Sequence, residues 1–352
     1  MDYIRMQEMV MVTTYDIAKR TGLNQSTVSR VLSGFPNVSP STAKKVLDAC
    51  KKFHYVPNAS AKALKTRRTF TLAIHMPYGT ETVLADPFVP LFLSAVSREA
   101  ADQGYSVILS YSDGTHSSSD LENLIKARRV DGVIVTSPSS DDSCIKTLVR
   151  EGIPFVSGRH EQKMSERSAC VDIDNQYSGY MAGKYLISQG HREIGLLTET
   201  EESMVARDFQ AGVIKAFAEK RLKFPRRNVM AIPVTFQASY DASLKLLARS
   251  NPPTAILANT TLTVFGAIEA VHHAHKKVVV VGIDSPLLKS LYPALPRIQA
   301  PIEELGRQMT GTLIKLIDGH HTKPIPPKML YIRLLDEKNK IFTGENVMRI
   351  KE

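Results

Sequence analysis

The sequence predicts a multidomain chain: a small all-α helix-turn-helix head, then an α/β core of two doubly wound lobes. Charge is the first observation. Residues 1–68 carry 12 Lys and Arg against 4 Asp and Glu, while the other 284 residues carry 33 against 31. A basic head on a nearly neutral body points to a polyanion-binding module joined to something that does a different job. The second observation is three short amphipathic segments between residues 13 and 53, separated by turn residues. The third begins at residue 70, where apolar runs of strand length alternate with helix-length periodic segments, twice over. At 352 residues the chain exceeds one compact core, and 43% apolar with 23% charged residues is ordinary for a soluble globular protein. No stretch reaches the length of a membrane helix, and M-D-Y-I-R-M-Q-E-M-V lacks the apolar core of a secretory signal. Cys50, Cys144 and Cys170 are scattered without a C-x-x-C pair, so neither a disulfide framework nor a metal site is expected, and the compartment expected is the cytoplasm.

In the head, Thr13 and Asp16 form a capping-box start for a helix over Thr14–Arg20, with Ile17 and Ala18 inward. Thr21-Gly22-Leu23 is the tight turn, where glycine supplies the positive φ. Asn24 caps a second helix over Gln25–Leu32. Val28, Val31 and Leu32 make its apolar face, leaving Gln25, Ser26, Ser29 and Arg30 outward. Such a face fits a DNA major groove, where Gln reads adenine and Arg reads guanine, while Thr27 and Ser29 suit phosphate contacts. The alternative is a three-helix interaction domain with an incidental basic face. Ser39 and Pro40 start a third helix whose Ala43, Val46, Leu47 and Phe53 face inward. Tyr55-Val56-Pro57-Asn58 then leads into a short helix, A-S-A-K-A-L-K at 59–65. Its one large apolar residue, Leu64, either wedges between base steps in a minor groove or packs on the body.

Residues 13–32, with V-S-P-S-T-A-K-K-V and Y-V-P-N-A-S-A-K-A-L after them, closely resemble the LacI/GalR family of bacterial transcription regulators. The resemblance implies a homodimer whose two heads read half-sites of a near-palindromic double-stranded DNA operator. It implies Gln25, Ser26 and Arg30 as base readers, and Thr14, Thr27, Ser29, Asn37, Ser39 and Asn58 as mainly backbone contacts. Ala61, Leu64 and Lys65 would face the minor groove from a hinge helix that folds on the operator. The expected divisions are an extension over 1–11, the helix-turn-helix domain over 12–57, and the hinge and linker over 58–68. The two-lobed core follows over 69–345, crossing between lobes near 165–175 and 285–330.

The first lobe's strand candidates are Thr71–His75, Ser106–Ser110, Gly132–Thr136 and Pro154–Ser157, with helices near 88–103, 119–128 and 142–151. The second lobe's are Ile194–Thr198, Val229–Val234, Ala255–Ala258 and Val278–Gly282, with helices near 175–189, 206–221, 236–249 and 261–274. Two parallel sheets covered on both faces follow, with ligands expected beyond the strand carboxyl ends. The stretches 171–197, L-A-N-T at 257–260 and V-V-G-I-D-S at 280–285 resemble the same family's core. This implies a fold like periplasmic sugar-binding proteins, with a small effector in the cleft: Phe88 as a wall, Asn259 and Asp284 as polar contacts.

Three positions depart from the family pattern. Phe209 replaces an arginine three residues before Gly212, with Arg207 five before it; Arg159 stands where an aspartate is common; and Asn259 is followed by Thr260 rather than Asp. An arginine at 159 favours a carboxylate or phosphate over a neutral sugar, so sugars, sugar acids and phosphorylated metabolites are all effector candidates. Alternatively, Arg159 pairs with an acid such as Asp284. His272 and His275, at i and i+3, have no third ligand and read as a solvated helix end. There is no G-x-S-x-G, H-E-x-x-H or P-loop, so neither enzyme activity nor a cofactor is expected. Residues 331–352 hold no leucine heptad, which favours a dimer over a tetramer. A transport-type solute-binding protein is the competing reading, and the basic head argues against it.

Overall fold

The computed structural model describes residues 12–32, 37–55, 66, 68–76, 86–111, 119–136, 143–158, 166–199, 203–319 and 324–343. Its chain divides into two units, 1–69 and 70–352. In the first, α1 (Thr14–Thr21), α2 (Gln25–Leu32) and α3 (Pro40–Lys52) enclose Ile17, Ala18, Val28, Val46 and Cys50. The capping box forms as the sequence predicts. The Thr13 N–H donates to Asp16 Oδ2 at 2.9 Å, the Asp16 N–H donates to Thr13 Oγ1 at 3.3 Å, and bonding to Thr13 holds the Asp16 carboxyl below its usual range. Gly22 ends α1 at φ 65°, in the left-handed region. The Arg20 guanidinium lies 3.9 Å from the centre of the Phe53 ring, tying α1 to the end of α3. Leu47, expected inward, is 48% exposed: Val46, Ala49, Cys50 and Phe53 already fill the inward stripe of α3, and Leu47 falls off it.

The second unit contains two six-stranded sheets. The first is built from β1 (Thr71–Met76), β2 (Ser106–Tyr111), β3 (Gly132–Val135), β4 (Phe155–Ser157), β5 (Ser168–Ile173) and β11 (Lys328–Leu330), in the order β11-β5-β4-β3-β1-β2. All its pairings are parallel. The second is built from β6 (Ile194–Thr198), β7 (Val229–Ala231), β8 (Ala255–Ala258), β9 (Val279–Ile283), β10 (Arg297–Gln299) and β12 (Arg333–Leu335), in the order β12-β10-β9-β8-β6-β7. Only β12 runs antiparallel to its neighbour. Strands β1, β3, β6 and β8 are buried nearly end to end, as parallel strands covered on both faces must be.

Helices α4 (Phe88–Asp102), α5 (Ser119–Lys126) and α6 (Ser143–Glu151) belong to the first lobe. Helices α7 (Asn175–Ser188), α8 (Met204–Glu219), α9 (Phe236–Leu247), α10 (Thr261–His273) and α11 (Pro286–Leu291) belong to the second. After β10 the chain returns, and α12 (Ile302–Asp318) packs on α4, where Gly306 admits Ala95 and the Phe92 carbonyl at close range. The chain therefore passes between lobes three times: after β5, before α12, and between β11 and β12. Strands β5, β10, β11 and β12 were not among the sequence candidates. Strand β7 stops at Ala231, short of the expected Val234, because Pro233 has no N–H to offer the ladder.

One apolar cluster runs through both lobes, from Leu72 and Phe92 to Leu186, Phe217 and Ile298. Its closest packing is between α7 and α8. A Cβ at Gly179 would stand 1.9 Å from the Phe209 carbonyl oxygen, and one at Gly212 would stand 1.9 Å from that of Gln176. Both obstacles are backbone, so neither can yield by changing a rotamer. Gly179→Ala is therefore expected to destabilise the second unit by about 3 kcal/mol through forced separation of the two helices. Calorimetry should show a thermal midpoint lowered by roughly 5–10 °C.

Candidate functional site

On the head, buried Val28 turns one face of α2 into the core and leaves Gln25, Ser26 and Arg30 exposed on the other. Thr27 and Ser29 are half-buried at its edges. Gln25 Nε2 donates to Thr14 Oγ1 at 3.0 Å, so two expected DNA contacts on different helices are held together. Asn37 is exposed. Ser39 has a structural task as well: its Oγ accepts from the Thr42 N–H at 3.2 Å and caps α3. The polar, cationic face of α2 can donate to and accept from base edges in a major groove. Asn58, Ala61, Leu64 and Lys65 lie outside the described residues.

In the body, several expected effector contacts follow strand carboxyl ends, where a doubly wound sheet presents its ligand-binding loops. Asn259 follows β8. It is 7% exposed, and neither atom of its amide has a hydrogen-bond partner. Leaving such a group unbonded costs about 1–3 kcal/mol, so its position is a place where a polar partner is stabilising. Asp284 follows β9 and is held by the protein's own arginine. Arg297, 1% exposed, brings Nε to 3.1 Å from Asp284 Oδ1, a contact of charge rather than an aligned hydrogen bond. Burial pushes the Asp284 carboxyl up, and Arg297 pulls it back down. The rest of the guanidinium donates to the carbonyls of Pro293 at 2.9 Å and Leu295 at 3.3 Å and to the Asn339 side chain.

Phe88, at the start of α4, is half-buried and stacks on Phe92 with ring centres 5.7 Å apart. Phe209 is 1% exposed in the apolar cluster, and its backbone meets Gly179. Arg207, two residues earlier in α8, is exposed. Arg159 lies outside the described residues. Two further residues were absent from the sequence reading. One is Arg297, which reads as a surface charge in the short run P-R-I-Q. The other is Asp86, whose Oδ1 accepts from the Phe88 N–H at 2.8 Å and whose carboxylate also accepts from the backbone N–H groups of Thr261 and Leu262. An acid just before Pro87 at a helix start is a turn signal, but it does not reveal a partner 175 residues away.

Among the described residues no group of three or more His, Cys, Asp or Glu could hold a metal ion, and no helix is long and apolar enough to cross a membrane. Of the histidines near the end of α10, His273 Nδ1 pairs with the Tyr240 hydroxyl at 2.8 Å.

Two family models match the chain. One, described as periplasmic binding proteins and sugar binding domain of LacI family, covers residues 82–333. The other, described as bacterial regulatory proteins, lacI family, covers residues 13–58. The HTH-type transcriptional regulator CelR of Thermobifida fusca is 29% identical over 315 residues, which is 88% of this chain and 93% of the relative. RafR of Escherichia coli, an HTH-type transcriptional regulator, is 30% identical over 312 residues, 86% and 91% of the two chains. A solved CelR–cellobiose complex aligns with a TM-score of 0.72 at 27% identity, covering 94% of this chain and 100% of that one. The lac repressor dimer bound to operator and the anti-inducer ONPF aligns with a TM-score of 0.77 at 24% identity over 93% and 98%, a likeness of fold.

The Asp284–Arg297 pair gives a stability test with a defined sign. Arg297→Met leaves a buried carboxylate without its cation and is expected to cost about 3 kcal/mol at pH 7. Asp284 already titrates above its ordinary range, and losing Arg297 raises it further. A carboxyl raised in the folded state destabilises above its pKa and is relieved by protonation below it. The deficit against wild type should therefore shrink between pH 7 and pH 5, as measured by denaturant unfolding at each pH.

Proposed function

The chain belongs to the LacI family and is a ligand-responsive transcriptional regulator, and from that premise we propose that it represses transcription by binding a near-palindromic operator as a homodimer in the cytoplasm. The observation that carries the DNA half is the exposed Gln25, Ser26 and Arg30 face of α2, set on a helix-turn-helix with a capped and closed core. Gln25, Ser26 and Arg30 read bases. Thr14, Thr27, Ser29, Asn37 and Ser39 position the head on the backbone, and Asn58, Ala61, Leu64 and Lys65 extend the contact into the minor groove. A transport protein has no use for this head, and the reading assigns no catalytic step to any residue.

The effector is a neutral carbohydrate. An arginine at 159 favoured an acidic ligand in the sequence reading. The described groups favour the opposite, because the Asp86 carboxylate at the α10 N-terminus repels an anion and accepts from hydroxyls. The unpartnered Asn259 amide, one residue before the α10 cap, offers a donor and an acceptor, as a sugar hydroxyl requires. Phe88 supplies an apolar face beside them. The solved relative with cellobiose bound supports a carbohydrate over a phosphorylated metabolite.

Two measurements test this. Selection of genome fragments by the purified protein at physiological salt should enrich one near-palindromic site. Arg30→Ala should lose about 1–3 kcal/mol of discrimination at one base pair per half-site while retaining most nonspecific affinity; uniform weakening on all sequences would make Arg30 a phosphate contact. Calorimetric titration with a panel of neutral mono- and disaccharides and their acid and phosphate counterparts should find a neutral binder. Asn259→Ala should weaken that binding by about tenfold or more. Tighter binding of a phosphate or acid would restore the acidic reading.

A further inference from the structure

The N-terminus of α10 is completed by a residue of the other lobe. The capping box of Thr260 and Thr263 serves part of it: Thr260 Oγ1 accepts from the Thr263 N–H at 3.4 Å, and the Thr260 carbonyl accepts from the Val264 N–H at 3.1 Å. The first two helical N–H groups, Thr261 and Leu262, point out of the helix with no partner within it. Both donate to the Asp86 carboxylate. Asp86 follows β1 in the first lobe, and α10 follows β8 in the second. The same carboxylate accepts from Phe88 at the start of α4, so one side chain ends a helix in each lobe.

We propose that Asp86 is an inter-lobe latch: its carboxylate seals the N-terminus of α10 and holds the two lobes together using protein atoms alone. A negative charge at the positive end of a 13-residue helix is attracted by the aligned peptide dipoles as well as by the two N–H groups. Burial opposes it and pushes the Asp86 carboxyl up. The latch therefore balances a strong local attraction against the cost of taking a charge from water, and a competing hydroxyl donor can open it at modest cost. An element of this kind gives two lobe arrangements close in energy, which an effector of either sign can bias. Because the latch needs no effector, it stands or falls independently of the carbohydrate reading.

Amide hydrogen exchange in the full-length protein tests it, since α10's own bonds leave Thr261 and Leu262 unprotected. Asp86→Ala removes every contact. Asp86→Ser keeps a side-chain oxygen that can cap α4 at Phe88 but is too short to reach α10. In both variants exchange at Thr261 and Leu262 should accelerate by roughly tenfold or more, as loss of a hydrogen bond to a charged group implies. Val264 to Ala267 should keep their protection, and in the serine variant the first turn of α4 should keep its own. Wild-type protection at Thr261 and Leu262 in the serine variant would overturn the proposal. So would equal acceleration along the whole of α10, which would mean a weakened helix rather than a lost bond between lobes.

Discussion

Parallel strands all end on the same edge, and the body of this protein depends on that constraint. Each βα unit leaves its sheet at the carboxyl end, so whatever follows β1, β8 and β9 is delivered to one side of its lobe. Asp86, Asn259 and Asp284 occupy those three exits. None of them needs a special loop to reach its place; the topology supplies the position and the residue supplies the chemistry. The edge is also where helices begin, so each polar residue there sits beside a set of unpaired N–H groups. That is why Ser285 caps α11 and Thr260 caps α10 within a residue of the acid or amide before them.

Two different treatments of buried charge stand side by side at this edge. Asp284 is neutralised internally by an arginine that is itself almost wholly buried and whose other donors close the turn after α11 and hold Asn339. Such a pair fixes one arrangement of the second lobe, because removing either partner strands the other. Asp86 has no cation. It relies on peptide N–H groups drawn from both lobes, which lose their geometry as soon as the lobes shift. The first arrangement makes a lobe rigid. The second makes the relation between lobes adjustable, and a ligand-responsive regulator requires both.

Much of this was legible in the sequence, for local reasons. The capping box at Thr13 and Asp16, the left-handed Gly22, and the alternation of apolar runs with periodic helices all carry their signal within a few residues. The exposed face of α2 could be read because Val28 has to point inward. The strands that went unread are mostly three residues long: β10, β11 and β12 are too short to show any period, and their place in a sheet is set by partners far away in sequence. Leu47 was misplaced because a helix stripe has finite width and four other residues fill it. Arg297 and Asp86 were missed for one physical reason. A charged residue announces solvent in a sequence, and its burial becomes visible only with the residues that neutralise it. For Asp86 those residues belong to the other lobe.

The three passages of the chain between lobes determine what movement is possible. They lie side by side in the structure at β5 to α7, β10 to α12 and β11 to β12, and the first and third are joined where the Asp174 N–H donates to the Leu330 carbonyl at 2.8 Å. The apolar cluster continues beneath them from Ile173 to Tyr185, with Ile302 and Ile332 packed beside. A joint with a packed core and a bonded pair of strands resists separation but tolerates small rotation, since its hydrogen bonds lie close to the axis. Movement at the joint is therefore small where the chain crosses and larger with distance from it. Asp86 and the α10 N-terminus, meeting from separate lobes, sense that rotation directly through bonds whose geometry is short-ranged. A modest change in what occupies the site can thus be converted into a change of lobe angle, and the joint limits that change to a defined path.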